Sequence, residues 1–183
     1  MPRIMIIRHA EKHYEGSPER GVCIDGHHKK HELTVRGWLR AGALVPFFAP
    51  PRGHAADAPI STPRSIFASA ATPQSPSLRA QRTVEPLAAA LGIEINRRHA
   101  DGHEAAVAAA ALGAAGPVLI SWHHSHIDKL AKLIVGAHLD CPEWPEHRFD
   151  LVWVLDQEGA AGAPWTFAQV PQCLFAHDRP HPI

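Results

Sequence analysis

Near the start of the chain the apolar run Ile4-Met5-Ile6-Ile7 stops at Arg8-His9. A short apolar run without polar alternation reads as a strand buried on both faces, the kind found in a parallel sheet covered by helices. Such sheets bind ligands just beyond the C-terminal ends of their strands. Arg8 and His9 therefore fall where a site belongs. The guanidinium of an Arg is a fixed fork that matches phosphate oxygens. A neutral imidazole beside it can attack phosphorus and carry the phosphoryl group covalently.

The rest of the chain supports a parallel sheet. The first strand is predicted over about 3–8, followed by a long polar loop from His13 to His31. Thr34 then reads as the N-cap of an amphipathic helix with Leu39, Leu44, Val45 and Phe48 on its apolar stripe. Pro and Gly make 49–63 a surface connection. A second strand is predicted over 65–69, and Ser75-Pro76 reads as a cap and first position of a helix that ends at Gly92. A short strand over 93–95 and an Ala-rich helix from Glu104 come next. Pro117 to Ser121 is a fourth, central strand, and a helix follows it to Val135, before Gly136. Phe149 to Leu155 is a final strand, and Trp165 to Val170 is a candidate partner for it. Strands alternating with helices in this way imply a mostly parallel sheet.

Composition narrows the function. A chain of 183 residues suits one domain, and equal counts of 18 basic and 18 acidic residues leave no net field directed at nucleic acid or an anionic membrane. The three Cys, at 23, 141 and 173, are scattered, which argues against a disulfide framework. With no recognisable leader and no membrane-length apolar run, a cytoplasmic location is expected. The 15 His are unusual. The run His27-His28-Lys29-Lys30-His31 reads as a solvated surface or as a basic rim that attracts an anion. The same His, with the cluster at 123–126, also raise a metal-binding reading, weak because no Cys or carboxylate partner stands out at ligand spacing.

Several segments together carry a family likeness. Arg8-His9-Ala10-Glu11-Lys12 resembles the opening motif of the histidine phosphatase (phosphoglycerate-mutase-like) superfamily. Leu33-Thr34-Val35-Arg36-Gly37, followed by Arg40-Ala41, is similar to its second motif. Close packing of backbone against the loop after the first strand would explain a Gly inside that helix. Ser77-Leu78-Arg79-Ala80-Gln81-Arg82-Thr83 resembles the third motif, although Gln81 and Arg82 depart from its usual order. The resemblance implies a three-layer α/β/α sandwich with a mostly parallel central sheet, phosphoglycerate-mutase-like, with residues 1–183 forming a single histidine-phosphatase-like domain.

The resemblance also implies a mechanism. His9 is the expected nucleophile of a metal-independent phosphatase that needs no cofactor, with Arg8 and Arg79 on the phosphate. A second His is expected after the fourth strand. The general family pattern selects His123, whereas a subgroup with Trp-x-His selects His124, which is the favoured assignment; His123 is then a substrate-binding neighbour. Glu104 is the expected general acid, with Asp101 and His103 as substitutes. The expected partner is a small phosphorylated substrate or a phosphoprotein. The alternatives are a catalytically inactive phosphate-binding member and a mutase, the latter disfavoured because no extended insertion encloses the substrate.

Overall fold

The computed structural model describes residues 2–51, 56–136, 139–157, 159 and 162–183. Part of the expected connection, 52–55, lies outside them. The elements run β1 (Arg3–Arg8), α1 (Val35–Phe48), β2 (Ser65–Ala68), α2 (Arg79–Leu91), β3 (Ile95–Asn96), α3 (Glu104–Leu112), β4 (Val118–Trp122), α4 (His124–Val135), β5 (Leu151–Gln157) and β6 (Trp165–Pro171). The strands form one sheet in the order β3-β2-β4-β1-β5-β6. The pairs β1–β4, β2–β4 and β2–β3 are parallel, while β5 and β6 join antiparallel.

Strand alternation divides the core into two. Met5 and Ile7 of β1 pack with Leu44, Phe48, Val84 and Leu87, the inner faces of α1 and α2. Ile4 and Ile6 point the other way, onto Val107, Ile127 and Leu130 of α3 and α4. β1 and β4 are thus buried on both faces, which is why neither shows a polar alternation. The result is the expected α/β/α sandwich of phosphoglycerate-mutase type.

Local signals set most element ends. Thr34 accepts a hydrogen bond from the Gly37 N–H at 3.2 Å and caps α1. Gly92 takes a left-handed φ of 66° and ends α2. Two expectations are corrected. Leu39 is 61 % exposed, because the buried stripe of α1 runs through Gly37, Arg40, Ala41, Leu44 and Phe48. Ser75 does not cap α2. Its backbone closes a turn with Thr72, so the helix starts only at Arg79.

Candidate active site

β1 and β4 are parallel neighbours with Arg8 opposite Trp122. The ladder continues for one more bond, from His9 N–H to the Trp122 carbonyl at 3.0 Å. The residues just beyond the two strand ends are therefore His9 and His123. Their rings meet edge to face, with centroids 5.6 Å apart. His123 is the extended residue before α4, whereas His124 is already its first helical residue. Strand register therefore places His123, and not the favoured His124, against the His9 ring, while His124 opens α4 and lines a cavity with Glu146.

His9 is 2 % exposed, and its Nδ1 lies 2.8 Å from the Ala10 carbonyl oxygen. A carbonyl only accepts, so Nδ1 carries the proton and Nε2 keeps its lone pair. Burial, then the neighbouring Arg8 charge, holds the imidazole well below its ordinary pKa of 6.5, so it is neutral at pH 7. Burial lowers His123 too, with Asp101 opposing and Arg79 and Arg8 adding to the shift. His124 is lowered to about 4, again first by burial and then by Arg8 and Lys12.

Arg8 is 1 % exposed and stacks its guanidinium over Phe149, 3.8 Å from the ring centre. Its Nη1 donates to the Glu146 carbonyl. Its Nε and Nη2 have no hydrogen-bond partner among the described residues, and neither does His123 Nε2. Buried donors of this kind are costly unless something accepts from them. Burial lowers the Arg8 pKa, yet a guanidinium stays charged at any ordinary pH.

Arg79 opens α2, and its charge disfavours protonation of both His9 and His123. The preceding loop braces it: Nη2 donates to the Lys30 carbonyl at 2.8 Å and Nε to the Glu32 carbonyl at 3.3 Å. Thr83, one turn later, accepts from the Ala10 N–H at 2.7 Å and donates to the Arg79 carbonyl at 2.7 Å. A single hydroxyl thus ties the loop bearing His9 to the helix bearing Arg79.

No family model matches this sequence, and no curated protein matches it. Solved structures do. The protein histidine phosphatase SixA, complexed with tungstate, is 15 % identical, with 93 % of this chain and 97 % of that chain covered and a TM-score of 0.56. A putative alpha-ribazole-5'-P phosphatase from Escherichia coli str. K-12 substr. MG1655 is 13 % identical, with 92 % and 96 % covered and a TM-score of 0.53. Mycobacterial hydrolase 1 is 15 % identical, with 91 % and 96 % covered and a TM-score of 0.51. The chain has the histidine phosphatase fold.

Within the histidine phosphatase fold of this chain, Glu104 does not suit the acid role expected of it. Its side chain is fully buried, and its carboxylate accepts from the Gly102 N–H at 2.8 Å, the Trp122 indole at 3.3 Å and Lys129 Nζ at 2.8 Å. Burial alone would raise its pKa, but these donors outweigh it and hold the group ionised below the usual carboxylate value. A general acid needs the reverse shift and access to a leaving group. Asp101 is the more accessible of the two carboxylates. Its carboxylate is partly exposed, 2.8 Å from His126 Nδ1, and its charge acts on His123. His103 precedes α3 and makes no side-chain cap.

Further residues shape the site without having been assigned a part in it from sequence. Glu11 turns inward onto Arg40 at 2.9 Å, and Arg40 reaches Asp178 at 2.7 Å. Phe149 forms the floor under Arg8. Tyr14, the chain's single Tyr, donates to the Glu146 carbonyl that also receives Arg8. Its place in the loop just after Arg8-His9 was the available signal. Gly37 meets its expectation: a Cβ there would lie 2.6 Å from the Glu11 carbonyl oxygen.

Proposed function

We propose that the chain is a phosphatase that hydrolyses a phosphate ester or phosphoramidate through a phosphohistidine intermediate on His9. The observation that carries this reading is the pair of buried, unpartnered donors on Arg8, with the unpartnered Nε2 of His123 next to them, beside a neutral His9 whose proton sits on Nδ1. A tetrahedral oxyanion satisfies those donors and brings its central atom toward Nε2. In the first step the Nε2–P bond forms and the P–O or P–N bond to the leaving group breaks. Arg8, Arg79 and His123 stabilise the charge on the phosphoryl oxygens, so side chains supply the electrostatics of transfer. The Asp101–His126 pair, Oδ1 to Nδ1 at 2.8 Å, passes a proton to the leaving group and then takes one from the water that cleaves the Nε2–P bond. His124, which lines a cavity with Ser125, Trp144 and Glu146, contacts the substrate's leaving side.

The test is a screen of phosphomonoesters, phosphoanhydrides and phosphohistidine peptides with radiolabelled phosphate, followed by analysis of the quenched protein. Turnover with acid-labile label on His9 is expected, and His9→Ala removes both while the protein stays folded. A wild-type chain that binds phosphate or tungstate yet gives neither turnover nor label is a phosphate-binding protein instead.

A further inference from the structure

The loop that braces Arg79 carries a second cluster, away from the phosphoryl site. Val22 pairs antiparallel with His28, so 22–28 is a small hairpin rather than an unstructured loop. Its tip is closed by Cys23 N–H to the His27 carbonyl at 2.9 Å, and by Gly26 N–H to the Cys23 carbonyl at 2.8 Å. Gly26 has a φ of 85°, the left-handed conformation this turn needs. The turn folds three side chains onto one point. Cys23 Sγ donates to Asp25 Oδ1 at 2.6 Å, and His27 Nδ1 lies 3.1 Å from the same oxygen. The three ligand atoms all fall within 4.8 Å of one another.

We propose that Cys23, Asp25 and His27 form a binding site for a divalent transition-metal cation of zinc type. Bonds of about 2.0–2.3 Å place tetrahedral ligand atoms roughly 3.3–3.8 Å apart, so small side-chain adjustments make room for the ion. Thiolate with imidazole and carboxylate selects zinc-like ions over magnesium or calcium, which take oxygen ligands. The Cys23 S–H bond breaks, its proton leaves to solvent, and the sulfur lone pair forms the bond to the cation. Asp25 and His27 are exposed, so the ion has direct access and a fourth position is left for water. The ion closes the hairpin whose following residues, Lys30 and Glu32, accept from Arg79. It acts as a brace on the loop and takes no part in phosphoryl transfer.

Cobalt(II) is the probe, added to the whole protein under reducing conditions. One tightly bound cobalt per chain is expected, with a thiolate-to-cobalt charge-transfer band that zinc abolishes on displacement. Cys23→Ser should remove the band, while Cys173→Ser, at the chain's exposed Cys, should leave it intact. Asp25→Asn and His27→Ala alter exposed side chains and keep the fold, and each should weaken cobalt binding by ~10-fold or more. The proposal is overturned by absence of the band in the wild type, by its survival in Cys23→Ser, or by unchanged affinity in both Asp25→Asn and His27→Ala.

Discussion

His9 and His123 are brought together by one residue of strand register, and the consequences are local enough to test by single substitutions. His123 lies against His9 with an unpartnered buried Nε2, whereas His124 is the first residue of α4 and lines a cavity with Glu146. His123→Ala should lower kcat by ~10²–10³-fold, the scale of losing an electrostatic donor to the transition state. His124→Ala should act mainly through KM. Steady-state kinetics on both variants with one substrate decides between them, and the opposite ranking would restore His124 as the phosphate contact. Arg79→Lys keeps the charge but not the fork, and should cost about tenfold or more in kcat/KM. The pH profile follows from His9. The attacking form is neutral, and burial holds its pKa well below 6.5. Activity measured as kcat/KM, which reports the free enzyme, should therefore stay flat through pH 6.5 and fall only in more acidic solution. His9, His123 and His124 interact, so the limb belongs to the group and not to one ring.

At the level of elements, the site depends on how α1, α2 and the β1 loop are tied together. Arg40 of α1 is 2 % exposed and holds Glu11 after β1 and Asp178 near the C-terminus. Arg40→Met removes one buried charge, leaving Asp178 with backbone donors alone and Glu11 with only Arg36 at 3.4 Å. Breaking a buried pair from one side costs ~3–5 kcal/mol, so urea unfolding should show a loss on that scale. Gly37→Ala should also destabilise, because its methyl meets the backbone of Glu11 and not a flexible side chain. The shift is transmitted to His9 and Ala10, so activity should fall together with stability. A Gly37→Ala protein with wild-type midpoint and kinetics would refute this account of the glycine. Among the described residues no helix is long and apolar enough to cross a membrane.

The whole molecule should lose stability in two stages on acidification. His9 and His123 are buried with lowered pKa values, so below pH 6.5 the unfolded chain binds protons that the folded one refuses. Their contribution is fully present above 6.5 and declines as the pH falls below it. Glu104 and Asp178 are held below their ordinary 4.5 and 3.8 by Lys129 and Arg40 among other donors, with burial opposing. Their contribution is complete above those ordinary values and is lost in a second stage beneath them. Urea midpoints measured from pH 8 to 3 should fall gently below 6.5 and more steeply below about 4.5. His9→Ala should flatten the first stage and Asp178→Asn the second. A single steep stage that neither variant alters would show that other groups govern acid unfolding.

What the sequence by itself determined was local. An apolar run ending in Arg8-His9, a Thr34 cap, a Gly92 stop and alternating strands and helices depend on neighbours along the chain. They were therefore legible, and with them a mostly parallel sheet and the position of the nucleophile candidate, while the three-layer sandwich was implied by the family resemblance. The tertiary structure alone decided contacts between distant segments. Which His stands beside His9 follows from pairing Arg8 with Trp122. Whether Glu104 is free or bound follows from where α4 brings Lys129. The same applies to Arg40, which the sequence marks only as part of a motif and which the structure buries between Glu11 and Asp178. The metal-ligand cluster was hidden for a related reason. Cys23, Asp25 and His27 alternate along the chain, and only the left-handed turn at Gly26 converts that spacing into three donors around one point.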